Sequence, residues 1–352
     1  MDKIQVFAEI DYEVAVGVDW RESLSEIFKK HAKVLIIAPE FVVNRGALTS
    51  LCEIDSRYLF ITPEGEGQKV ISIVEEIWEL LGREEFDRSD AIVAIGGGAT
   101  TDLAGFVAAT WLRGISWYAI PTTLAGMVDA SVGGKTGINT AFGKNLVGSF
   151  YSPRSVRVDP TWISTLSDRD FSAGLAEVIK TGFIQNMKIV DLLESCSGIP
   201  DAREIAEELV ILSIAVKAAV VSTDFKEGKY REILNFGHTM GHAVEKNSNF
   251  SLRHGEAVSI GLHYEALLSE SILGFSSVAT DRLKTLLTKF NLPISINKSE
   301  FSWEKVHSLM LSDKKSREDR IRFVGLIAEG QPGWIEQADV GILKEIYERI
   351  AI

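Results

Sequence analysis

Cysteine and long apolar runs are scarce in this chain of 352 residues. The two cysteines, Cys52 and Cys196, are too few for the disulfide framework of a small secreted domain and suit a reducing compartment. The longest weakly charged helical stretch, residues 209–221, is too short to span a bilayer and contains Lys217. We therefore expect neither a disulfide scaffold nor a membrane span.

Basic residues are outnumbered by acids, 37 to 49, which gives a net charge of −12 and argues against a nucleic-acid partner. The first residues include Asp2, Glu9 and Asp11 and show no apolar segment of a secretory signal, so we expect a cytoplasmic protein. With 46% hydrophobic and 24% charged residues the composition is globular, and the length is enough for two domains.

One segment departs from the acidic balance. Between residues 97 and 158 the acids are Asp102 and Asp129, against five basic residues: Arg113, Lys135, Lys144, Arg154 and Arg157. The same segment is rich in glycine. A locally basic, glycine-dense segment in an acidic protein is expected to bind an anion.

Strand and helix patterns alternate in the N-terminal part. Short apolar runs typical of strands are residues 33–38, 57–61, 91–95 and 115–120, and helical patterns cover residues 66–81 and 100–112. This alternation predicts a parallel sheet with helices on its faces. Ligands of such sheets bind beyond the carboxyl ends of the strands, where Gly96-Gly97-Gly98 stands directly before a helix. The glycines and free helix N–H groups suit a phosphate, although a plain tight turn would also explain them.

After about Pro160 the strand patterns fade and helical periodicity continues to about Lys289, followed by a closing hairpin over residues 320–334. We therefore predict two domains, residues 1–160 with an α/β fold and residues 161–352 with a helical fold.

The most informative pattern is a polar stripe. Four polar residues recur at spacings of four, three and four: Arg231, Asn235, His238 and His242. These spacings predict one face of a single continuous α-helix whose other residues are apolar or small. Such a helix is buried, and buried polar groups cost free energy unless they are paired or hold a ligand. The stripe therefore favours the wall of a site over a solvated helix face.

A metal ion is one ligand that this stripe could hold. His238 and His242 have the i,i+4 spacing of many zinc sites but lack the glutamate of H-E-x-x-H, and His254 opens a further helix. A carboxylate as third ligand would leave an open position, as catalytic zinc requires. The best candidate is Glu177, three residues before Lys180 on an otherwise apolar helix; a surface ion pair between these two is the alternative.

Taken jointly, these motifs resemble the 3-dehydroquinate synthase family. The match runs in order from about Glu66 to Gly325 and includes residues 96–98 (GGG), 102–105 (DLAG), 121–124 (PTTL), 128–139 (VDASVGGKTGIN), 143–146 (GKNL), 176–180 (AEVIK), 234–243 (LNFGHTMGHA), 254–258 (HGEAV) and 313–315 (DKK).

The resemblance implies a fold and a reaction. The N-terminal α/β domain, residues 1–160, would be Rossmann-like and bind NAD. The all-α C-terminal domain, residues 161–352, would bind one divalent metal ion, zinc or cobalt, and the substrate would lie in the cleft between the two domains. The resemblance also implies a cytoplasmic homodimer. The enzyme would be a carbon–oxygen lyase of the shikimate pathway, which serves chorismate and aromatic amino acid biosynthesis. It would convert 3-deoxy-D-arabino-heptulosonate 7-phosphate into 3-dehydroquinate and phosphate.

The resemblance also assigns residues to catalysis and to the metal. Glu177, His238 and His254 would bind the metal, which leaves His242 as a proton-transfer residue. The remaining catalytic positions are Lys180 and Asp129, which would contact substrate hydroxyls, and Glu227, which matches a proton-transfer position but could be plain surface charge.

A substrate with a phosphate at one end and a carboxylate at the other needs two cationic binding regions. By resemblance, the phosphate region comprises Lys135, Asn145, Lys314, Lys315 and Arg113 from a second subunit. The carboxylate region comprises Lys217, Arg231 and Asn235, and the planar guanidinium of Arg231 suits bidentate pairing.

The NAD contacts implied by the resemblance are Glu66, Lys69, Gly97, Gly98, Asp102, Thr122, Thr123, Lys144, Trp162 and Thr165. The chain departs from the family at the adenosine end, where it reads Ala38-Pro39-Glu40-Phe41 instead of an Asp and Asn, and at Ala173, which replaces a polar residue.

Two other enzyme classes remain open. Another sugar-phosphate cyclase would share the fold and cofactors but lack a substrate carboxylate, whereas Lys217, Arg231 and Asn235 are all present here. A metal-dependent polyol dehydrogenase would not need so many cations. A protein that only binds NAD or metal would have no use for proton-transfer and anion-binding residues together.

Overall fold

The computed structural model describes residues 1–46, 48, 57–249, 251–313 and 321–352. It divides into two compact units. The first unit comprises residues 1–165 and 217–226, and the second comprises residues 166–216 and 227–352. The division therefore follows residue 165, against the expected residue 160, and residues 217–226 belong to the first unit.

The first unit is built on a seven-stranded sheet with the order β1-β2-β9-β6-β5-β3-β4. Its strands are β1 (Asp2–Val6), β2 (Tyr12–Val16), β3 (Val34–Pro39), β4 (Arg57–Thr62), β5 (Ala91–Gly96), β6 (Ser116–Pro121) and β9 (Ser155–Val158). The edge strand β1 pairs antiparallel to β2, and the other neighbours pair in parallel. Every residue of β3 and β5 is buried, as expected for strands covered on both faces. The four predicted strands and the parallel sheet are confirmed.

The helices of the first unit are α1 (Trp20–Lys30), α2 (Glu40–Gly46), α3 (Ile71–Arg83) and α4 (Gly98–Thr110). The Asp19 carboxylate caps α1 by accepting from the backbone N–H groups of Arg21 and Glu22. The predicted helix over residues 66–81 is divided into a 3₁₀ turn, Gly65–Gln68, and α3.

Strands β1, β2 and β9, together with a separate hairpin, went unrecognised in the sequence patterns. The hairpin consists of β7 (Lys135–Thr140) and β8 (Gly143–Phe150). Residues 217–226 join this unit through specific contacts. Lys217 pairs with Asp129, and the Phe225 ring lies 5.8 Å from that of Phe150. These contacts link residues far apart in sequence, which short-range patterns do not report.

The described residues of the second unit are helical apart from one hairpin and the connecting loops. Its helices are α5 (Asp168–Gln185), α6 (Met187–Ser195), α7 (Ile199–Glu204), α8 (Ala206–Thr223, the end of which belongs to the first unit), α9 (His238–Asn247), α10 (His254–Leu273), α11 (Ser277–Lys289), α12 (Trp303–Asp313) and α13 (Val340–Ile350). The hairpin is formed by β10 (Phe323–Ala328) and β11 (Gln331–Ile335). Among the helices of the described residues, none is both long and apolar enough to cross a bilayer.

Three helices of this unit approach one another at glycines. A Cβ atom on Gly261 of α10 would lie 1.8 Å from the carbonyl oxygen of Gly237, just before α9. A Cβ atom on Gly255 of α10 would lie 1.8 Å from the carbonyl oxygen of Ala173 in α5. No side chain fits at these distances, so glycine permits α10 to lie against both other backbones.

Candidate active site

The polar stripe is not one continuous helix. Residues Tyr230–Asn235 form a 3₁₀ helix, and α9 begins only at His238. Between them Gly237 has a φ of 82°, a left-handed conformation that interrupts helical geometry. The predicted single α-helix is therefore wrong, although Arg231 is buried as the prediction required.

The start of α9 is held by a carboxylate from another helix. Glu265 of α10 is fully buried and accepts from the backbone N–H groups of Gly237 at 2.6 Å, Thr239 at 3.0 Å and Met240 at 3.3 Å. These donors have no partner within a helix that starts at this point. Because Glu265 satisfies them, the chain can turn at Gly237 and begin a new helix with His238 as its first residue.

Three potential metal ligands converge in the second unit. Glu177 lies within α5, while His238 and His254 are the first residues of α9 and α10. One ligand atom from each lies within 4.8 Å of the others. The Nε2 atoms of His238 and His254 lie 3.5 Å and 3.3 Å from the same Glu177 Oε1 atom. The structure thus brings together the three residues that the resemblance assigns to the metal.

The charge states of Glu177 and His238 suit a cation. Burial alone would raise the pKa of Glu177, but Lys180 and His238 hold it well below its usual range. Burial and the Lys180 ammonium lower the pKa of His238 to about 4. Burial also opposes protonation of His254, yet Glu177 and Glu245 raise its pKa to about 10, so a metal ion would take the place of the proton on its Nε2 atom. Among the described residues, neither Glu177 oxygen accepts a hydrogen bond of good geometry. A buried anion between two imidazoles fits a divalent metal ion.

Other predicted residues surround this cluster. Lys180 is 2% exposed and forms an ion pair with Glu177, so the pair is buried, unlike the surface pair considered as the alternative. The His242 ring meets that of His238 edge-on at 5.3 Å and lies 5.9 Å from that of His254. Asn235 donates to Glu227 at 3.4 Å.

In the first unit, Asp129 and Lys217 form a pair. Asp129 lies in a single π-helical turn, Gly126–Ala130, and its carboxylate and carbonyl oxygens both accept from the ammonium of Lys217. Lys217 is 7% exposed. The resemblance assigned these residues to different parts of the substrate, and the structure places them in direct contact.

A second cluster in the first unit surrounds Lys69, which is 1% exposed. Its ammonium donates to Asp102 at 2.6 Å and to the amide oxygen of Asn145 at 2.5 Å. Burial raises the pKa of Asp102 to about 6, although Lys69 acts in the opposite direction. Glu66 lies 3.9 Å from Lys69 and 4.0 Å from Lys144. Four predicted NAD contacts and one predicted phosphate contact are therefore neighbours.

The glycine run adopts the predicted geometry. Strand β5 ends at Gly96, and α4 begins at Gly98. A Cβ atom on Gly97 would lie 3.1 Å from Thr123, and one on Gly98 would lie 2.9 Å from Ala130. Thr122, just after β6, donates its N–H to the Gly96 carbonyl at 2.9 Å. The run is thus a strand end joined to a helix N-terminus, which can accept a phosphate.

The remaining predicted residues are more dispersed. Trp162 and Thr165 line a pocket of the first unit with Trp20, Arg21, Arg45, Thr161 and Ser164. Lys135 begins β7, and Arg113 ends a 3₁₀ turn with a φ of 64°. Lys314, Lys315 and Cys52 lie outside the described residues.

Sequence reasoning missed two carboxylates of this site. Glu245 Oε2 lies 3.3 Å from His254 Nδ1, and Glu265 caps α9 as described above. A signal existed for Glu245, because it follows His242 by three residues and so continues the histidine face of α9. Glu265 had no such signal, since its contacts are 25 to 28 residues away in the chain.

Comparison with known proteins matches both halves of the chain to one family. A family model described as 3-dehydroquinate synthase N-terminal matches residues 59–173, and one described as 3-dehydroquinate synthase C-terminal matches residues 174–316. A 3-dehydroquinate synthase from Paenarthrobacter aurescens strain TC1 is 45% identical over 348 residues, 97% of this chain and 95% of that protein. One from Streptomyces coelicolor is 44% identical over 349 residues, 96% of this chain and 94% of that protein.

Solved structures share the fold at lower identity. A 2-deoxy-scyllo-inosose synthase in complex with carbaglucose-6-phosphate, NAD⁺ and Co²⁺ aligns with a TM-score of 0.87 at 24% identity, covering 99% of this chain and 100% of that one. A 2-epi-5-epi-valiolone synthase from Streptomyces hygroscopicus subsp. jinggangensis 5008, with NAD⁺ and Zn²⁺, aligns with a TM-score of 0.89 at 22% identity, covering 99% and 98%. The fold class predicted from the sequence is confirmed.

Proposed function

The chain belongs to the 3-dehydroquinate synthase family, and from this premise we propose that it converts 3-deoxy-D-arabino-heptulosonate 7-phosphate into 3-dehydroquinate and phosphate. The observation that carries this proposal is the cluster of Glu177, His238 and His254 around a buried carboxylate, which lies within a chain 45% identical over 97% of its length to a 3-dehydroquinate synthase. The reaction makes the protein a carbon–oxygen lyase of the shikimate pathway.

Phosphate is a poor leaving group from an unactivated carbon, so the substrate must first be activated. Oxidation of the C5 hydroxyl to a ketone acidifies the neighbouring C–H bond and permits β-elimination of phosphate. Reduction of the ketone and an intramolecular aldol step then complete the product. When bound, NAD accepts and returns the hydride, and a divalent metal ion, zinc or cobalt, polarises the substrate hydroxyls.

The second unit supplies the residues for the hydroxyl chemistry. Glu177, His238 and His254 would hold the metal ion, and the Lys180 ammonium would lie beside it to contact a substrate hydroxyl. His242, whose ring is adjacent to both histidine ligands, would transfer a proton, with Glu227 as a further proton-transfer residue. A neutral His238 and an ionised Glu177 are the forms that a metal requires.

NAD would contact the first unit at the glycine turn and the Lys69 cluster. The α4 N-terminus at Gly97 and Gly98 would accept the pyrophosphate, with Thr122 and Thr123 beside it. Further contacts would come from Glu66, Lys69, Asp102, Lys144, Trp162 and Thr165. Glu40, at the start of α2, would stand in for the ribose-binding acid of other family members.

The substrate's two anionic ends require cations. Arg231, Lys217 and Asn235 would bind the carboxylate, and Asp129 would orient Lys217 through their ion pair. Lys135, Asn145, Lys314 and Lys315 would bind the phosphate together with Arg113 of a second subunit. An Arg113 contribution of this kind would require a homodimer. The enzyme would act in the cytoplasm, a reducing compartment that suits its two cysteines.

The decisive experiment measures phosphate and NADH together. The purified enzyme should release one phosphate per turnover from the heptulosonate phosphate, require NAD and show no net NADH. Sugar phosphates without a carboxylate serve as controls and should release little phosphate, because they leave Arg231 without its partner. A continuous rise in NADH matching product would instead identify a polyol dehydrogenase, and efficient turnover of a control sugar phosphate would identify another cyclase.

The carboxylate site can be tested separately with Arg231→Ala. Removing one member of a buried charge-assisted pair should lower kcat/KM, with a loss of transition-state stabilisation of roughly 2–4 kcal/mol. Arg349→Ala, a change at a half-exposed arginine of the same unit, is the matched control and should leave kcat/KM unchanged. If Arg231→Ala keeps the wild-type kcat/KM, Arg231 does not bind the substrate.

A further inference from the structure

Glu245 is a buried carboxylate of α9 that no step of the proposed reaction uses. It is 6% exposed, and its Oε2 atom lies 3.3 Å from Nδ1 of His254. The other nitrogen of the same ring, Nε2, lies 3.3 Å from Oε1 of Glu177. The His254 ring is therefore held between two carboxylates, one at each nitrogen.

This arrangement determines which ring nitrogen can bind a metal. A neutral imidazole carries one N–H and one lone pair, and the acceptor at one nitrogen decides where the proton lies. An ionised carboxylate accepts and does not donate, so without a metal ion both ring nitrogens can carry a proton. A metal ion held by Glu177 and His238 would replace the proton on Nε2, and Glu245 would keep the remaining proton on Nδ1. The lone pair of Nε2 is then directed toward Glu177, where the metal ion would lie.

We propose that Glu245 is a positioning residue that fixes the tautomer and the orientation of His254 for metal binding. This inference rests on the metal centre of the proposed function. Outer contacts of this kind, in which a metal-binding histidine donates its second N–H to a carboxylate, orient the ring and make it a stronger ligand.

His238 shows why His254 needs such a contact. Its Nδ1 atom lies 3.2 Å from the Phe236 carbonyl oxygen, so both histidines present Nε2 to the same Glu177 oxygen. The two side chains differ in exposure, which is 12% for His238 and 42% for His254. Packing restricts the His238 ring, whereas the more exposed His254 ring depends on its polar contacts. An ionised acceptor also holds an N–H group more strongly than a carbonyl does.

The fold places Glu245 at this position through helix packing. His238, His242 and Glu245 follow at spacings of four and three and share one face of α9. The close approach at Gly241, whose added Cβ would lie 3.1 Å from Val258 Cα, brings that face toward the start of α10. One helix thus supplies a metal ligand, a proton-transfer residue and the acceptor for the second histidine ligand.

The experiment measures metal affinity independently of turnover. Metal is removed with a chelator, and Zn²⁺ or Co²⁺ is titrated back against a chromophoric competitor. Glu245→Ala should weaken binding by about 10–100-fold. Glu245→Gln should lose less, because its amide oxygen still accepts from Nδ1. The matched control is Glu270→Gln, which removes a charge from α10 where Glu270 lies 3.7 Å from Arg349 and should leave affinity unchanged.

The melting temperature of each metal-free variant separates positioning from general stability. Wild-type metal affinity in folded Glu245→Ala would overturn the proposal, as would an equal loss of affinity in Glu270→Gln. If Glu245→Ala does not fold, Glu245→Gln decides: weakened binding and an altered Co²⁺ absorption spectrum support the proposal, and wild-type values for both overturn it. Failure of the unaltered protein to bind metal would overturn the metal centre itself, a result distinct from any of these.

Discussion

In the first unit the glycine turn of the candidate cofactor site lies on consecutive residues, whereas in the second unit the candidate metal ligands lie on three helices. The glycine turn joins β5 to α4 within a few consecutive residues. Glu177, His238 and His254 instead come from α5, α9 and α10, which meet at glycines that exclude any side chain. A turn formed by consecutive residues tolerates changes elsewhere in the chain, whereas a site shared by three helices depends on how closely those helices pack.

The largest effect is expected from the metal ligands. Glu177→Gln replaces the buried carboxylate between the two histidines with a neutral amide, so the metal should be lost and phosphate release should fall to background. Chelation of the unaltered enzyme should do the same, and added zinc or cobalt should restore only the unaltered enzyme. Substantial turnover by metal-free protein would show that the cluster is not a metal centre.

Matched glycine substitutions test the dependence on helix packing. Gly261→Ala would place a Cβ atom 1.8 Å from the Gly237 carbonyl oxygen and should lower the free energy of unfolding by about 3 kcal/mol or more. Gly82→Ala, in α3 of the first unit, would place a Cβ atom 3.5 Å from Trp111 and should be neutral or slightly stabilising. Chemical denaturation of both variants measures the difference, and equal stabilities would contradict the comparison.

The two helix caps give a second matched pair. Glu265→Gln neutralises a buried carboxylate that accepts hydrogen bonds from three backbone N–H groups at the start of α9. The free energy of unfolding should fall by about 2 kcal/mol. Asp19→Asn changes the local cap of α1, and asparagine caps a helix about as well as aspartate, so stability should hardly change. Thermal unfolding reports both values. If Asp19→Asn destabilises the protein as much as Glu265→Gln does, the proposed difference between the two caps is wrong.

The smallest effect concerns Asp102 and pH. Its pKa is raised from 3.8 to about 6 in the folded protein, so the stability that its protonated form contributes is present below pH 3.8 and is lost as pH rises through about 6. A pKa shift of about two units corresponds to at most roughly 3 kcal/mol in the free energy of unfolding. The Asp102 side chain is partly exposed, so solvent screening should reduce the measured change to on the order of 1 kcal/mol. Unfolding of the wild type and of Asp102→Asn, compared at about pH 4 and pH 7, measures this change.

The control for pH is Asp201→Asn. Hydrogen bonds from Ser197 lower the pKa of this exposed carboxyl, so its contribution to stability is lost as pH falls, opposite to that of Asp102. A wild-type advantage over Asp102→Asn that stays constant or grows with rising pH would contradict the raised pKa.

Much of the first unit could be predicted because its patterns are local. The buried strands β3 and β5 read as apolar runs, and the glycine turn follows directly from strand end to helix start. Strands β1, β2 and β9 were missed because each has only four or five residues, too few for a clear pattern. Residues 217–226 could not be assigned to this unit, since their contacts with Asp129 and Phe150 join distant parts of the chain.

The sequence by itself indicated a site, because polar residues in apolar helical segments need a ligand or a partner. The spacing of residues favoured His238 and His242 as candidate metal ligands, and the resemblance to the family replaced His242 with His254. The sequence also determined the α/β and helical classes of the two parts, because hydrophobic periodicity is a property of consecutive residues.

Only the tertiary structure decided how those residues are held. The break at Gly237, the cap from Glu265 and the contact of Glu245 with His254 depend on the packing of α9 against α10. That packing depends in turn on backbone contacts at Gly241 and Gly261, where the absence of a side chain lets two helices touch. A distance between helices is a property of the whole fold, so no local spacing of residues contains it.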